Sequence, residues 1–470
     1  MVRKTKIIAT ISNKSCEPTF LQRLFEAGIN IVRLNTAHMT HEDALLVIKN
    51  TREVSDKIAI LLDTKGPEIR TCMSDSPLKV KHGDTIRIKG DPAGKSENDI
   101  ICVSYDKFVH DIPMGSSIMI DDGCIALAVM EKDDQYLYCH VENDGIIGEK
   151  KSINIPSVHV KLPALSEKDK GFIKFAAENN LDFIAHSFVR NKEDVLAVQA
   201  ILDLEKSKIK IIAKIENCDG VDNIEEILDH AYGVMVARGD LAVEIPAERI
   251  PLIQKQLVKT CIKRRRPVII ATQMLHTMIQ SPRPTRAEVS DVANACLDHT
   301  DALMLSGETA NGKYPEEAVR TMANIAMEVE QRTSSFIDVP YASEKKVTAY
   351  LAKAGVKASL RLNTKAILAD SMTGRSIREI AAYRGDNPIF ALVYDKQVMR
   401  ELALSYGVYA SFIKRDKNSG FPFERVVLTL LKEKYFFSDD LVTVIGGHFG
   451  AKHGVSYVEI AEAGAMMSLS

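Results

Sequence analysis

Two acidic residues lie just after apolar runs that have the length of buried strands. Glu216 follows the run 209–214, and Asp240 follows the run 233–238. If these runs are neighbouring strands of one parallel sheet, the two carboxylates meet at the same edge and can share one hard divalent cation, which also takes waters and substrate oxygens. The pair therefore predicts a site for one hard divalent cation, whereas either carboxylate alone is more typical of a helix cap or a surface charge.

Basic side chains stand near the ends of similar runs. Lys214, Arg33 and Arg70 place positive charge around the predicted metal, which favours an anionic, phosphorylated substrate. The amides of Gly239 and Asp240 begin the next helical segment and are suited to a carboxylate, and Gly239 lets a substrate approach closely. Because phosphoryl transfer needs mainly positioning and charge neutralisation, that is the chemistry these residues predict.

Eight apolar runs of strand length alternate with segments of helical period. Continuous apolar strands alternating with helices predict a parallel sheet covered on both faces, and eight such units predict a (β/α)8 TIM barrel. Active sites of such barrels lie at the carboxyl ends of the strands, where the polar residues above are found. The runs are 6–11, 29–34, 58–63, 181–186, 209–214, 233–238, 267–272 and 301–306.

The alternation breaks between the third and fourth runs. There the pattern becomes polar–apolar, punctuated by Asp-Asp-Gly and Asn-Asp-Gly turns, which predicts an inserted all-β module. After residue 335, three further strand-like runs with helical segments between them predict a separate α/β domain. The predicted domains are residues 1–69 plus 163–335 for the barrel, 70–162 for the inserted all-β module and 336–470 for the C-terminal α/β domain.

Composition argues against some classes of binding partner. Lys and Arg number 61 against 63 Asp and Glu, a formal net charge of -2, which argues against a nucleic-acid-binding protein because such proteins need a basic surplus. No apolar run is long enough to span a bilayer, and no signal peptide is visible. The eight cysteines are widely separated and form no CxxC pair, so we expect a reduced, cytoplasmic chain without a structural zinc.

Four motifs resemble those of one known family. They read Leu-Leu-Asp-Thr-Lys-Gly-Pro-Glu-Ile-Arg-Thr at 61–71, Val-Ala-Arg-Gly-Asp-Leu at 236–241, Ala-Thr-Gln-Met-Leu at 271–275 and Pro-Arg-Pro-Thr-Arg-Ala-Glu at 282–288. Together they closely resemble the pyruvate kinase family, of the bacterial type. The resemblance covers the full chain in the same domain order, and it implies that the inserted module is a small β-barrel lid and the C-terminal α/β domain a regulatory domain. It implies transfer of phosphate from phosphoenolpyruvate to ADP, giving pyruvate and ATP in the final step of glycolysis.

The resemblance also implies roles for residues at the strand ends. Lys214 would stabilise the moving phosphoryl group and the enolate oxygen, and Arg33 would contact the phosphate. Thr272 matches the threonine beside the reacting methylene carbon, while Ser306 and Glu308 match groups implicated in delivering the enolate proton. Glu216 and Asp240 would hold Mg²⁺ or Mn²⁺. The implied substrate-binding set is Arg33, Lys214, Gly239, Asp240 and Thr272.

A second set of residues matches the family's monovalent-cation and nucleotide sites. The nucleotide side of the cleft would comprise His38, Arg70 and Lys151, and potassium would bind Asn35, Asp63 and Thr64. Two signals about potassium conflict: Ala37 stands where the family has a serine ligand, whereas Glu68 matches the potassium-dependent members. We hypothesise that potassium still activates but binds more weakly, with a water replacing the lost hydroxyl.

Two loops depart from the family or extend it. Ser12-Asn13 replaces the usual Gly-Pro beside the nucleotide base, which leaves base preference open. In the C-terminal domain, a strand is followed by hydroxyls, a flexible glycine and a helix start, which suits a phosphate and matches the family's sugar-phosphate effector loop. The residues are Ser371, Thr373, Gly374, Arg375 and Ser376; the later loop 446–450 departs from the patterns that would identify the effector.

Two alternatives stay open. A metal-dependent pyruvate aldolase on a related barrel shares the Glu/Asp metal pair and an arginine, but it gives no reason for the inserted lid, the position of Lys214 or the basic nucleotide side. A degenerate barrel that only senses sugar phosphates is favoured by Ala37 and Asn13 and opposed by the complete transfer site. The family is usually a homotetramer, which is the expected assembly.

Overall fold

The computed structural model describes residues 2–156, 158, 160, 162–333, 336–340, 346–414, 423–447 and 454–467. The chain begins with three parallel strands and two covering helices. Thr40 starts the second helix with a capping box shared with Asp43, which satisfies backbone donors at the helix start. The elements are β1 (Lys6–Thr10), α1 (Pro18–Ala27), β2 (Ile31–Asn35), α2 (His41–Val54) and β3 (Ala59–Asp63).

The inserted module follows β3 and is mainly antiparallel. Its largest sheet has the order β4-β14-β10-β11-β12-β7-β9, and the bridge between Thr71 and Val103 joins the two edges, so the sheet curls into a small barrel. The elements are β4 (Ile69–Arg70), β5 (Met73–Ser74), β6 (Leu78–Val80), β7 (Thr85–Gly90), β8 (Lys95–Ser96), β9 (Ile100–Val103), α3 (Phe108–Asp111), β10 (Ser117–Ile120), β11 (Ile125–Lys132), β12 (Leu137–Val141), β13 (Gly145–Ile147) and β14 (Ser152–Asn154).

The main barrel resumes after the insertion and closes in the order β1-β19-β18-β17-β16-β15-β3-β2, with every neighbouring pair parallel. All eight predicted strands are confirmed. The elements are α4 (Glu167–Glu178), β15 (Phe183–His186), α5 (Lys192–Leu204), β16 (Lys210–Ile215), α6 (Cys218–Asp222), α7 (Ile224–His230), β17 (Gly233–Ala237), α8 (Arg238–Glu244), α9 (Ile250–Lys263), β18 (Val268–Ala271), α10 (Arg286–Leu297), β19 (Ala302–Leu305), α11 (Gly307–Ala310) and α12 (Pro315–Arg332).

The C-terminal domain is a five-stranded sheet of order β22-β21-β20-β23-β24, parallel except for its last strand. The sequence predicted three of these strands and did not predict β22 or β24. The elements are α13 (Lys346–Arg361), β20 (Ile367–Ser371), α14 (Arg375–Ala382), β21 (Ile389–Val393), α15 (Lys396–Glu401), β22 (Val408–Phe412), α16 (Glu424–Lys432), β23 (Leu441–Gly446) and β24 (Tyr457–Glu462). Short 3-10 helices among the described residues are Ala247–Arg249, His276–Ile279, Leu402–Leu404 and Ala465–Met467.

The mouth of the main barrel is formed by the carboxyl ends of its eight strands. The two-residue periodicity of a strand determines which side chains point into this mouth. Side chains of a strand alternate between the barrel interior and the helix layer. Along β16, Ile212 belongs to the apolar cluster inside the barrel, while its neighbours Ile211 and Ala213 pack under the helices. The same alternation continues to Lys214 and Glu216, and so directs both polar side chains inward at the mouth.

Some predictions lie partly outside the described residues or stay predictions. Residues 334–335, at the predicted barrel boundary, and residues 448–450 of the loop 446–450 are not described. The domain boundaries remain predictions. Within the described part of the chain, we find no helix that is both long and apolar enough to cross a membrane.

Candidate active site at the barrel mouth

Lys214 is the centre of a buried ionic network at the end of β16. Its ammonium lies 3.1 Å from Oδ1 of Asp63 and 3.0 Å from Oε1 of Glu216, and it donates a 2.7 Å hydrogen bond to Oγ of Ser187. Burial opposes the charged form, but Asp63 and Glu216 outweigh it and raise the pKa of Lys214. The side chain is therefore a fixed, permanently charged cation with an acceptor for each of its three donors.

Arg33, on β2, is held beside this network by residues of the two neighbouring strands, β1 and β3. Its Nε donates to Oδ2 of Asp63 at 2.7 Å, and its Nη1 donates to Oγ1 of Thr10 at 3.0 Å. The pKa of the Asp63 carboxyl stays below its usual value: burial favours the protonated form, but Arg33 and Lys214 overcome that effect. Asp63 thus fixes two cations at the predicted phosphate position.

Glu216 and Asp240 form a pair of interacting carboxyl groups, as predicted for a metal site. Burial raises the pKa of Glu216 to about 7, with Lys214 opposing and Asp240 adding to the rise. Burial also raises the pKa of Asp240, against the influence of Lys214 and of a hydrogen bond with Glu216. Oε2 of Glu216, the oxygen that does not face Lys214, accepts the amide of Phe188 at 2.7 Å. Two crowded carboxyl groups that resist carrying two charges fit a divalent cation, which would relieve their repulsion.

Thr272, at the end of β18, has an unusual backbone. Its φ is +68° and that of Gln273 is +56°, although the left-handed region is a genuine outlier for a β-branched residue and costs about 1–3 kcal/mol. The Thr272 hydroxyl accepts the amide of Gly239 at 2.8 Å and donates to the carbonyl of Ala271 at 2.6 Å. The ends of β17 and β18 are therefore joined through this hydroxyl. A Cβ on Gly239 would lie 3.4 Å from this hydroxyl, which is an ordinary van der Waals contact, so the hydrogen bond itself leaves room for a side chain.

Ser306 and Glu308 lie together after β19. The Glu308 carboxylate is buried and accepts the amides of Ser306 at 2.8 Å and Leu275 at 3.2 Å. In this arrangement Glu308 ties the loop after β18 to the loop after β19. Ser306 is partly exposed at the mouth.

The residues predicted to bind potassium contact protein donors. Oδ1 of Asn35 accepts the amide of Ala37 at 3.2 Å, and Oγ1 of Thr64 accepts the amide of Ser187 at 3.1 Å. Asp63 is already balanced by two cations, as described above. Within the described chain, no group of three or more His, Cys, Asp or Glu side chains is arranged as a metal cluster. The oxygens fit potassium less well than the Glu216–Asp240 pair fits a divalent cation.

Of the three predicted nucleotide residues, Arg70 and Lys151 lie on paired segments of the inserted module, and His38 lies on the main barrel. His38 is exposed on the loop after β2. Arg70 forms a two-point ion pair with Glu68 through Nε at 2.8 Å and Nη2 at 2.9 Å. Lys151 pairs with Asp121 of the inserted module at 2.8 Å instead of extending to the barrel.

The inserted module nevertheless reaches the mouth through its β10–β11 turn. A Cβ added to Gly123 would lie 3.9 Å from Val243 of α8, and the neighbouring Asp122 raises the pKa of Asp240 as a minor contribution after burial. On another side, residues of the module and the barrel, Glu68 among them, line an open cleft of about 400 Å³. The module therefore lies over part of the mouth, as a lid would.

The predicted effector loop, residues 371–376, connects β20 to α14 as expected. Gly374 has φ +70° at the N-cap position, a conformation that glycine adopts without strain. Thr373 and Arg375 are exposed, and Oγ of Ser376 donates to the carbonyl of Asp370 at 3.4 Å. Ser371 is buried at the strand end.

Comparison with known proteins decides the family. The family described as "Pyruvate kinase, barrel domain" matches residues 2–319, and "Pyruvate kinase, alpha/beta domain" matches residues 350–461. A pyruvate kinase from Borreliella burgdorferi is 48% identical over 462 residues, which cover 97% of this chain and 96% of the relative. The chain belongs to the pyruvate kinase family. Its members are phosphotransferases, and so is this enzyme.

Other members of the pyruvate kinase family agree in sequence and fold. A pyruvate kinase from Bacillus licheniformis is 41% identical over 478 residues, covering 99% of this chain and 82% of the relative. The crystal structure of a pyruvate kinase from Cryptosporidium parvum superposes with a TM-score of 0.92 at 36% identity, covering 98% of this chain and 96% of that one. The predicted family and the predicted TIM-barrel architecture are both confirmed.

Three residues at the mouth were not predicted as site residues. Ser187 accepts from Lys214, Thr10 accepts from Arg33, and Arg238 donates to the carbonyl of Thr272 at 2.7 Å. Each lies at the end of a predicted strand, so strand position was an available signal for all three. Ser187 and Thr10 are neutral hydroxyl residues, which gave no reason to select them, whereas the charge of Arg238 at a strand end was a signal that could have found it.

Proposed function

We propose that this member of the pyruvate kinase family transfers the phosphoryl group of phosphoenolpyruvate to ADP at the barrel mouth. The observation that carries the proposal is the buried network in which Asp63 and Glu216 hold the Lys214 ammonium beside Arg33. Fixed positive charge of this kind stabilises the negative charge that develops on the moving phosphoryl group and on the enolate oxygen.

Glu216 and Asp240 are the residues that would hold Mg²⁺ or Mn²⁺. A divalent cation there supplies charge neutralisation to the phosphoryl and carboxylate oxygens of the substrate. Arg33 binds the phosphate from one side, and Lys214 faces the bridging oxygen. The amides of Gly239 and Asp240 at the start of α8 orient the substrate carboxylate.

Protonation of the enolate completes the reaction. We place Thr272 beside the methylene carbon, with Ser306 and Glu308 organising the water that brings the proton. Because both oxygens of Glu308 accept backbone amides, its part is to hold that water path in place. Closure of the lid excludes bulk water, which would otherwise hydrolyse the phosphoryl donor.

Further partners belong to the same proposal. ADP would bind between His38, Arg70 and Lys151 once the lid brings Lys151 towards the barrel. Potassium would bind weakly at Asn35, Asp63 and Thr64. It would replace some of the hydrogen bonds and ion pairs that these residues now make. A homotetramer is the proposed assembly. A reducing, cytoplasmic location is supported by the eight cysteines, all free thiols.

A phosphorylated sugar is the proposed effector at residues 371–376. The exposed Thr373 and Arg375 at the start of α14 support a phosphate there. Neither its identity nor the direction of its effect follows from these residues.

One assay separates the candidate activities. Purified protein with Mg²⁺ and phosphoenolpyruvate should form pyruvate only when ADP is added, and the ADP should become ATP. The activity of a pyruvate aldolase would not change when ADP is added. Such an enzyme would instead cleave a hydroxylated adduct of pyruvate. A barrel that only senses sugar phosphates would form no pyruvate under either condition.

A further inference from the structure

We propose that Arg238 is a positioning residue, which holds Thr272 in its left-handed conformation and so sets where the Thr272 hydroxyl meets the substrate. The inference rests on the proposed function, because it concerns a step of that reaction. Arg238 is the first residue of α8, directly after β17, and it is buried. It does not need to touch the substrate to act in this way.

The contacts of Arg238 place it on the backbone of the neighbouring strand. Its Nη2 donates to the carbonyl of Thr272 at 2.7 Å, and its Nε lies 3.4 Å from the carbonyl of Ala271. Its Nη1 is anchored by Asp291 of α10 at 2.8 Å. The guanidinium thus connects a helix of the barrel wall to the peptide groups on either side of the unusual Thr272 backbone.

Gly239, the residue after Arg238, contacts Thr272 at a second point. The amide of Gly239 donates to the Thr272 hydroxyl, while Arg238 holds the Thr272 carbonyl. Two adjacent residues of α8 therefore fix both the side chain and the backbone of Thr272. A backbone outside its preferred region persists only when its surroundings impose it, and these are the surroundings that do so.

Lysine cannot reproduce this arrangement. The planar fork of arginine reaches a carbonyl and a carboxylate at once, whereas one ammonium on a flexible stem cannot span both. Losing the fork would let residues 272–273 relax toward ordinary backbone angles and carry the hydroxyl away from its position. Among the described residues, Lys214 and Arg33 share no hydrogen-bond partner with Arg238, so phosphoenolpyruvate binding should persist.

A double-mutant cycle tests the proposal. We would measure kcat and KM for phosphoenolpyruvate with Arg238→Met, Thr272→Ala and the double variant. We expect Arg238→Met to lower kcat by roughly 30-fold and to change KM less than about threefold. Because both residues act through one hydroxyl, the double variant should be about as slow as the slower single variant. Fold losses that multiply in the double variant, or a loss carried by KM, would overturn the proposal.

A matched control accounts for the loss of an arginine that bridges a backbone carbonyl and a carboxylate. Arg52 also donates to a backbone carbonyl, that of Ile58, and to a carboxylate, Asp182, but at the opposite end of the barrel. Arg52→Met should melt at a lower temperature than the wild type and retain its kcat. If it lost kcat as Arg238→Met does, general destabilisation would explain both, and the proposal would fail.

Arg238→Lys is the second variant should the methionine variant not fold. It retains the charge, yet its kcat should fall nearly as far as that of Arg238→Met, because the two-point contact is gone. Full activity of the lysine variant would contradict the positioning role. If the wild type itself forms no pyruvate, the proposed function fails as well; an active wild type with a multiplicative cycle refutes this inference alone.

Discussion

The barrel mouth and the loop at residues 371–376 are both junctions between a parallel strand and a helix, yet they are built differently. At the mouth, Lys214 and Arg33 are about nine-tenths buried and fixed by carboxylates. In the loop, Thr373 and Arg375 are exposed to solvent. The same local plan thus supports a preorganised charge network in one place and an open surface loop in the other.

The difference shows what chemistry requires beyond a phosphate-binding turn. A catalytic site must hold its charges in place before the substrate arrives, since charges that reorganise during the reaction stabilise the transition state less. A regulatory site only has to bind, and it can use exposed hydroxyls, backbone amides and a glycine at the helix start. We therefore expect substitutions at the mouth to act on turnover and those in the loop to act on binding.

Replacing Lys214 with Met should have the largest effect. We expect kcat to fall about 10³-fold or more, because the charge that stabilises the moving phosphoryl group is lost. Steady-state pyruvate formation measures it. Lys210→Met is the matched control: Lys210 lies at the other end of β16 and faces Glu401 at 3.6 Å. Similar losses in the two variants would mean that the strand, and not the mouth, had been disturbed.

Removing one carboxylate of the metal pair should come next. Glu216→Gln or Asp240→Asn should raise the Mg²⁺ concentration for half-maximal activity about 10- to 100-fold. Direct Mn²⁺ binding, followed by electron paramagnetic resonance, provides a readout independent of turnover. Glu244→Gln serves as the control because Glu244 also lies on α8 but accepts the amide of Cys218. Unchanged Mn²⁺ affinity in the first two variants would refute the metal assignment.

A contact between the main barrel and the C-terminal domain should make stability depend on pH. Lys6, at the start of β1, donates to the carbonyl of Val408 in the C-terminal domain at 2.6 Å. Burial, followed by repulsion from Arg3, lowers the pKa of Lys6 from 10.5 to about 7. Below pH 7 both folded and unfolded chains hold the proton, so the full cost of burying the charge is felt. Between pH 7 and 10.5 mainly the unfolded chain binds it, so the free energy of unfolding rises by about 1.4 kcal/mol per pH unit.

Melting temperatures of the wild type and Lys6→Met between pH 6.5 and 8.5 test this dependence. Relative to the variant, the wild type should gain stability as the pH rises through 7. Parallel curves would show that Lys6 keeps its charge in the folded protein.

The smallest expected effect is on effector binding. Arg375→Ala should weaken binding of a phosphorylated sugar about 10-fold, measured by calorimetry with a panel of sugar phosphates. Lys365→Ala, an exposed lysine just before the same strand, should bind like the wild type. If no member of the panel releases heat with the wild type, residues 371–376 form an ordinary strand–helix turn.

The sequence predicted the elements well because burial imposes simple patterns. Each of the eight strands of the barrel is covered on both faces and therefore reads as a continuous apolar run. The edge strands β22 and β24 were missed because they are mostly only partly buried, so their side chains, such as Tyr409 and Glu459, mix polar and apolar types. Patterning identifies what is buried and says little about what lies at an edge.

The site was predicted by residue type, and its supporting contacts were not. Lys214, Glu216 and Asp63 were recognisable from charge and position. Ser187 was not, because a neutral hydroxyl beside a strand has many ordinary roles. The left-handed backbone of Thr272 was also invisible, since it arises from contacts with residues distant in sequence such as Arg238.

The most direct test of the central claim is to follow the phosphorus atom itself. Phosphorus-31 NMR of the wild-type protein with Mg²⁺, phosphoenolpyruvate and ADP should show the phosphoenolpyruvate signal decline while the γ-phosphate signal of ATP grows in equal amount. Appearance of inorganic phosphate in place of ATP, or no loss of phosphoenolpyruvate, would contradict phosphoryl transfer at the barrel mouth.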